Sequence, residues 1–259
     1  MNNIFHQLIV GPIRSRRLGS SLGINAVLPD QKYCNFNCVY CECGWSEKIK
    51  EKVHFPTVKE IAFALEAKLT ELKQAGEQLN SITFSGNGEP TLHPYFKDVV
   101  KEVILLRDSF FPEAKISVLS NATMLTKETI REALLLVDNP ILKLDAPIPE
   151  LVSVINQPSL GITFEQILTG LQSFPVPFYL QTIFLEMVTD EGKIYNNFDE
   201  KILEKWLDLL PTFNLKGWMI YPLDRPAPHR GVKKLSPEKM NFIKDYFTKK
   251  ISIPILVSY

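Results

Sequence analysis

Three thiols, Cys34, Cys38 and Cys41, stand within eight residues at spacings of four and three, and the one further cysteine, Cys43, follows two residues later. Asn35 and Gly44 let this segment loop, so the whole thiol inventory of the chain belongs to one loop. Thiolates bind zinc and iron-sulfur clusters, and four cysteines without a recognisable secretory leader speak for metal chemistry before disulfides. A structural zinc site draws its four ligands from two separated pairs, and no second pair follows here. A loop curled around a cubic cluster can offer three thiolates to three irons and leave the fourth iron open. Clusters usually take four cysteines, so a three-cysteine set implies a position kept for something else. A cluster loop, a zinc loop and a set of reduced core cysteines are the readings that the spacing leaves open.

The elements that must position this loop alternate in type. An apolar stretch, Ile4 to Gly11, leads into the arginine-rich segment with Arg14, Arg16 and Arg17, and a first strand over Ile24 to Leu28 delivers the chain to the cysteine loop, which runs to about Val53. Thr57 and Glu60 form a capping box, and Val58, Ile61, Leu65, Leu69 and Leu72 make the apolar stripe of a first helix, ended by Gly76 and Asn80. Ser81 to Ser85 reads as strand two. His93-Pro94 then opens a second helix with Pro94 at its first position and Phe96, Val99, Val100, Val103 and Leu106 on its apolar face. Lys115 to Leu119 is strand three, Thr126 to Val137 helix three, and Ile141 to Leu144 strand four. Pro149 to Ser159 is ambiguous, with Leu151, Val154 and Ile155 at helical spacing. Thr163 to Phe174 is a helix, Tyr179 to Val188 strand five, Phe198 to Leu210 a helix and Trp218 to Tyr221 strand six. Ser236 and Pro237 start a helix through Lys250, and Ile255 to Val257 makes a last strand.

Strands alternating with helices imply parallel strands joined by right-handed crossovers. A complete eight-unit barrel takes about 250 residues, whereas about six units are clear here. The expectation is therefore an α/β chain forming an open, partial parallel β/α barrel in one domain over 1–259: an N-terminal strand and arginine segment at 1–23, the barrel core at 24–223, and a C-terminal helix and strand at 224–259. With 259 residues, 45% hydrophobic and 22% charged, the composition is that of a globular chain. A formal net charge of zero argues against a general polyanion-binding surface. No apolar run approaches the ~20 residues of a membrane span. Together with the absence of a charged and apolar leader over Met1 to His6, this gives the expectation of a cytoplasmic protein without membrane contact.

In a parallel barrel the chemistry sits at the carboxyl ends of the strands, which brings a set of polar residues into view. Arg14, Arg16 and Arg17 are either a solvated basic turn or an anion clamp, since guanidinium forks hold carboxylate or phosphate. Lys143 and Asp145 alternate with Leu142 and Leu144, and a buried lysine beside an aspartate is costly unless paired or functional. Both are therefore candidates for cofactor or substrate contact. Gln181 is a polar residue in an apolar strand, facing a ligand or the solvent side. Tyr221 and Pro222 are placed to pack on an adenine or on the core. Cys43 is an idle thiol, an alternative cluster ligand or a substrate-reactive group, and with Lys143 it is a catalytic candidate. His6, His54, His93 and His229 have no metal spacing.

Cys34, Cys38 and Cys41, with the aromatic Tyr40 just before the last cysteine, resemble the C-x3-C-x2-C signature of the radical S-adenosylmethionine enzymes. The resemblance implies a 4Fe-4S cluster on Cys34, Cys38 and Cys41 and S-adenosylmethionine on the open iron. Reduction of the cluster then cleaves the sulfonium to methionine and a 5'-deoxyadenosyl radical. It also implies an open six-unit barrel, an adenine contact for Tyr40 and ribose contacts for Ser120 and Asn121. Gly86, Gly88 and Glu89 look like the glycine-glycine-glutamate motif that receives the amino group of S-adenosylmethionine, with Asn87 inserted between the glycines. The prefix Gly11 to Gly19 together with Ser85 to Leu92 is similar to the subgroup related to wyosine tRNA-modifying enzymes. Those enzymes use further cysteines, which this chain lacks, and its neutral charge does not support a tRNA substrate. The partners expected are a flavodoxin- or ferredoxin-type electron donor and a small-molecule or peptide substrate. Two other classes stand beside this one: a glycyl-radical-type activase acting on a partner protein, and a metal-binding sensor or structural protein that uses the cysteine loop.

Overall fold

The computed structural model describes residues 4–46 and 53–259. The first three residues, and the far limb of the cysteine loop at 47–52, lie outside the described residues. In chain order the strands and helices begin with the hairpin β1 (Ile9–Ser15) and β2 (Gly19–Ile24), then α1 (Val58–Gln74), β3 (Ser81–Phe84), α2 (Phe96–Phe110), β4 (Lys115–Ser120), α3 (Glu128–Leu135) and β5 (Asn139–Lys143). They continue with α4 (Pro149–Asn156), α5 (Phe164–Gln172), β6 (Phe178–Phe184), β7 (Glu186–Val188), β8 (Ile194–Asn196), α6 (Glu200–Leu209), β9 (Leu215–Pro222), β10 (Val232–Lys233), α7 (Pro237–Thr248) and β11 (Ile255–Val257).

One sheet takes eight of these strands in the order β1-β2-β3-β4-β5-β6-β9-β11. Only the β1–β2 pair is antiparallel; every later neighbour is parallel. The expected open, curled parallel sheet with helices on its outer side is thus the observed fold. A small antiparallel sheet, β10-β7-β8, stands apart from it. Among the described residues no helix is long and apolar enough to cross a membrane.

Side-chain burial decides these elements. On α1, Ile61, Leu65, Leu69 and Leu72 are buried at helical spacing, and the Thr57–Glu60 capping box is formed, with the Glu60 amide donating to Thr57 Oγ1 at 3.2 Å and the Thr57 amide to Glu60 Oε2 at 2.7 Å. Each buried Leu or Ile contributes about 1.5–3 kcal/mol against ~1 kcal/mol for a cap, so the stripe fixes the helix and the cap sets its start. Trp218 on β9 packs between Trp206 of α6 and Phe247 of α7, with ring centroids 5.3 and 4.8 Å away. Its indole N–H donates to Thr182 Oγ1 at 2.9 Å.

The structure corrects four boundaries. The first parallel strand is Gly19–Ile24, earlier than Ile24 to Leu28. Its Gly and Ser residues read as turn formers, yet Ser21 Oγ pairs with Thr83 Oγ1 at 2.7 Å inside the barrel, where Ser81 and Ser117 continue the polar row. The strand read from Tyr179 to Val188 is two strands, β6 and β7, which belong to different sheets. Pro94 is not the first residue of α2, which begins at Phe96 after a 3-10 turn over Pro90–Leu92. The ambiguous stretch after Pro147 is the helix α4, ended by Gln157 at φ +45°.

The curled sheet is bridged across its opening by the β1–β2 turn. Arg16 pairs with Asp224 Oδ2 at 3.1 Å and donates to the Tyr259 carbonyl, while the Arg17 guanidinium stacks 4.8 Å from the centroid of the Tyr221 ring. At the other side of the mouth, Tyr33 pairs with Gly88 as an isolated parallel bridge. A Cβ on Gly88 would stand 1.8 Å from the Tyr33 carbonyl oxygen. Gly88→Ala must therefore move the entry to the cysteine loop and costs at least the ~1–3 kcal/mol of overpacking. At ~2–4 °C per kcal/mol for a chain of this size, its melting temperature falls clearly. Gly217→Ala, where the added Cβ would be 3.2 Å from the Tyr179 ring, falls less. Equal melting temperatures for the two variants would refute this account.

Candidate active site

A cavity of about 350 Å³ opens at the carboxyl ends of the parallel strands, and all four thiols line it. The loop that carries them is fixed on two sides. Toward β3, the Tyr33 amide donates to the Asn87 carbonyl at 2.8 Å and the Glu89 amide to the Tyr33 carbonyl at 3.1 Å. Toward α4, the Asn37 amide donates to the Asn156 carbonyl and the Val39 amide to the Ile155 carbonyl, each at 2.9 Å. The carbonyls at the end of a helix lack intrahelical partners, and here the cysteine loop supplies them.

The electrostatics of the four thiols differ. Burial pushes Cys34 up, with Cys38 and Glu89 adding to it. Burial pushes Cys38 up to about 11, with Asp145 adding and the amide of Asn156, 3.4 Å from its sulfur, opposing. Cys41 is lowered to about 6, first by the neighbouring Cys43 thiol and then, against burial, by the Lys32 ammonium, while the Cys43 thiol itself donates to the Gly86 carbonyl at 3.5 Å. Cys41, and then burial, push Cys43 up. None of the four is in a disulfide. Among the described residues no three His, Cys, Asp or Glu side chains converge as they would on a single metal ion. Thiols spread around the wall of a cavity form a donor set for a ligand with bulk of its own, as a cubic cluster has.

The turn after β3 is built around Glu89. Its carboxylate is buried, and Oε1 accepts from Thr91 N at 3.1 Å, from Thr91 Oγ1 and from Ser120 Oγ at 2.9 Å, while Oε2 accepts from Asn121 N at 2.7 Å. Burial raises its pKa and these donors oppose the rise. Each carboxylate oxygen offers two acceptor positions; Oε1 is crowded by three donors whereas Oε2 takes one, so one position on Oε2 remains. The inserted Asn87 is fully buried and acts as a staple: its Nδ2 donates to the carbonyls of Phe5 at 2.7 Å and Leu28 at 3.0 Å, and its Oδ1 accepts from Phe5 N at 2.8 Å. Gly86 is packed on Asn25 and Gly88 on Tyr33. Chain packing by itself requires glycine at both positions.

On the opposite wall Lys143 lies over the rings of Tyr40 and Tyr221, at 4.9 and 5.0 Å, donates to the Tyr221 hydroxyl, and pairs with Asp145 Oδ1 at 3.7 Å. Burial pulls its pKa down, but Asp145 and Tyr221 more than offset this and raise it. Tyr40 donates to Asp145 Oδ2, and burial followed by the nearby Asp145 charge raises its pKa, so the phenol stays protonated. Asn156 Nδ2 donates to the same carboxylate oxygen at 2.6 Å, and the Ile183 amide to Oδ1 at 3.1 Å.

Among the residues singled out from sequence, the cavity brings together Cys34, Cys38, Cys41, Cys43, Tyr40, Gly86, Gly88, Glu89, Ser120, Asn121, Lys143, Gln181 and Tyr221. Asp145 is the exception: it is fully buried behind Lys143 and Tyr40 and does not line the cavity. Arg16 and Arg17 line it, while Arg14 points to solvent on β1. Ser120 and Asn121 are already engaged, Ser120 with Glu89 and Asn121 with the Asn35 side chain at 2.7 Å. Sequence reasoning missed Lys32, a buried ammonium that donates to the Gly44 carbonyl at 2.9 Å and to Asn37 Oδ1 at 3.2 Å. It also missed Asn156, whereas His93, read as part of a helix entry, serves structure, its ring spanning from the Pro56 carbonyl at 2.8 Å to the Tyr95 amide at 3.1 Å. The signal for Lys32 was its place two residues before the first cysteine.

Comparison with known proteins agrees with this geometry. The chain is 29% identical over 252 residues to a protein named GTPase Obg from Brachyspira hyodysenteriae, spanning 34% of that protein. It is 33% identical over 229 residues, 88% of this chain and 79% of the relative, to the UPF0026 protein slr1464 of Synechocystis. In structure it resembles a radical SAM methyltransferase from Sphaerobacter thermophilus, with a TM-score of 0.65 at 16% identity over 92% of this chain and 66% of that one. It also resembles Streptococcus suis SuiB bound to its precursor peptide SuiA, with a TM-score of 0.61 at 15% identity over 88% of this chain and 47% of that one. At these identities the structural likeness is one of fold. The radical SAM family model matches residues 28–175, from the cysteine loop through α5, and the chain belongs to the radical SAM superfamily.

Proposed function

We propose that this chain is an enzyme that holds a 4Fe-4S cluster on Cys34, Cys38 and Cys41 and cleaves S-adenosylmethionine reductively to act on a further substrate. The observation that carries the reading is that the three loop thiols, the Glu89 turn and the Lys143–Tyr40 wall face one cavity, whose volume of about 350 Å³ suits a cofactor-sized ligand. When bound, the cluster supplies the electron that breaks the sulfonium into methionine and a 5'-deoxyadenosyl radical. A flavodoxin- or ferredoxin-type protein is the reductant that suits such chemistry.

The chain's own residues bind and orient. The open acceptor position on Glu89 Oε2, with the carbonyls of the Gly86–Gly88 turn, suits the ammonium of S-adenosylmethionine. Asn121 and Ser120 close the same wall, and Asn121 Nδ2 lies 3.8 Å from the Cys34 sulfur, so it can orient a sulfur ligand as well as a ribose. Tyr40 is locked by Asp145 and Asn156 and offers its ring face, and Gln181 reaches the cavity from β6. Lys143, held cationic by Asp145, disfavours a second cation at its end of the cavity, which leaves the Glu89 end to the sulfonium-bearing ligand.

Anaerobic reconstitution with iron and sulfide yields brown protein that forms 5'-deoxyadenosine with dithionite. Cys34→Ala, Cys38→Ala and Cys41→Ala each lose both colour and product, whereas Cys43→Ala keeps the cluster. Colourless, zinc-loaded protein that makes no 5'-deoxyadenosine overturns the reading in favour of a structural metal loop.

The electrostatics make a separate prediction for the metal-free protein. A thiol lowered to about 6 is mostly thiolate at neutral pH, whereas Cys34 and Cys38, both raised, remain thiols. Iodoacetamide therefore labels Cys41 first. Its rate falls as pH drops through about 6 and is already level near pH 7, where an ordinary thiol would still be climbing toward its pKa of ~8.5. Cys43→Ala removes the neighbouring thiol that lowers Cys41 and moves the midpoint up. Peptide mapping between pH 5 and 9 checks this, and a Cys41 midpoint unchanged by Cys43→Ala contradicts it.

A further inference from the structure

Three cations line the cavity, and two of them are neutralised by the chain: Arg16 by Asp224 at 3.1 Å and Lys143 by Asp145 at 3.7 Å. Arg17 is different. Among the described residues it has no carboxylate within ion-pair distance, and its Nη1 is removed from solvent without a hydrogen-bond partner in the chain. Its guanidinium is held over the Tyr221 ring at 4.8 Å, and Lys143 lies within 5.0 Å of that same ring. A buried charged donor left unpaired is costly, and a second cation beside the same ring adds repulsion. The arrangement is therefore stable against an anion and unfavourable without one.

The position of Arg17 says where that anion sits. The residue lines the main cavity and also an adjoining chamber of about 130 Å³ in the barrel interior, where the hydroxyls of Ser15, Ser21 and Ser85 are nearby. The chamber is lined by Thr83 of β3 and Ile141 of β5 but by none of the thiols and not by Glu89. We propose that Arg17 binds an oxyanion, a carboxylate or phosphate carried by the enzyme's further substrate, where the cavity meets this chamber. The substrate class is thus an anionic molecule that enters from the mouth with its charged end toward the β1–β2 turn. The inference rests on the reading of the cavity as the active site.

The probes are inorganic phosphate and acetate, titrated at constant ionic strength into the reconstituted full chain, with melting temperature and calorimetry as readouts. The expected result is a saturable response to at least one of them, and the better probe distinguishes a phosphate from a carboxylate substrate. Arg17→Met weakens it roughly 10–100-fold, the scale of one charge-assisted hydrogen bond. Arg17→Lys, a point charge in place of a planar fork, weakens it less. Circular dichroism and iron content establish that the variants fold. Should Arg17→Met fail to fold, phenylglyoxal modification of Arg17 in the unaltered chain, mapped by mass and slowed by phosphate, gives the same answer. No saturable response in the unaltered chain, or the same response in Arg17→Met, overturns the proposal. So does a tenfold loss of S-adenosylmethionine affinity in Arg17→Met, which would give the guanidinium to the carboxylate of that cofactor. Anion binding with no 5'-deoxyadenosine formed sinks the proposed function and upholds the anion site; the converse sinks this inference alone.

Discussion

The interaction on which the site depends is the burial of the Asp145 carboxylate. It is completely enclosed, and four groups from four parts of the chain converge on it: the Ile183 amide from β6, Asn156 from the end of α4, Tyr40 from the cysteine loop and Lys143 from β5. An uncompensated buried charge costs several kcal/mol, so the carboxylate is tolerated only when all of these elements are docked. Its backbone is engaged too, since the Asp145 carbonyl accepts from Asn197 Nδ2 at 2.7 Å and Asn197 Oδ1 accepts from Leu185 N at 3.0 Å. Asp145 was read from sequence as a ligand contact. Its withdrawal behind Lys143 makes it the part that aligns the ligand-facing residues.

That alignment extends to the thiols. Asn156 donates through one amide nitrogen to Asp145, lies 3.2 Å from the Tyr40 hydroxyl and 3.4 Å from the Cys38 sulfur, while its carbonyl receives the Asn37 amide. The middle of the cysteine loop therefore inherits its position from α4, and its start inherits its position from β3 through Tyr33 and Gly88. Two rigid elements on different strands set the separation between Cys34 and Cys38. Lys32 ties the turn after Cys41 back through the Gly44 carbonyl and places a positive charge among the sulfurs.

The alternation of elements was legible because strand and helix periods differ, and the cysteine loop was legible because its four thiols are adjacent in sequence. What could not be read were contacts between distant residues. Asn156 and Cys38 are 118 positions apart, and Asn87 and Phe5 are 82 apart. Each is a buried polar residue that makes sense only with its partner in place. Asn87 therefore looked like a departure from a glycine motif, although its side chain secures the N-terminal segment against the tip of β3. Ser21 and Gly23 fell in the arginine-rich segment placed before the first strand, because a polar inward face is unusual for a strand. The partner of Ser21 is a threonine on β3, which local sequence does not report.

Net charge was the weakest guide. Twenty-nine basic and twenty-nine acidic residues cancel over the chain, yet within the cavity Arg17 and Lys143 share the Tyr221 ring, while Glu42, Glu89 and the Arg16–Asp224 pair occupy other parts of its wall. A global balance is compatible with strong local separation, because screening confines each charge to about 8–10 Å in solution while a cavity wall screens it less. The same separation bears on the thiols. Cys34 and Cys38 are buried near Glu89 and Asp145 respectively, so both hold their protons until a cation replaces them, and metal uptake is coupled to proton release. Cys41, lowered by the neighbouring Cys43 and Lys32, gives up its proton most readily of the four. The loop thus presents one ready thiolate and two thiols that ionise only when a metal arrives, and that thiolate is the natural first point of attachment.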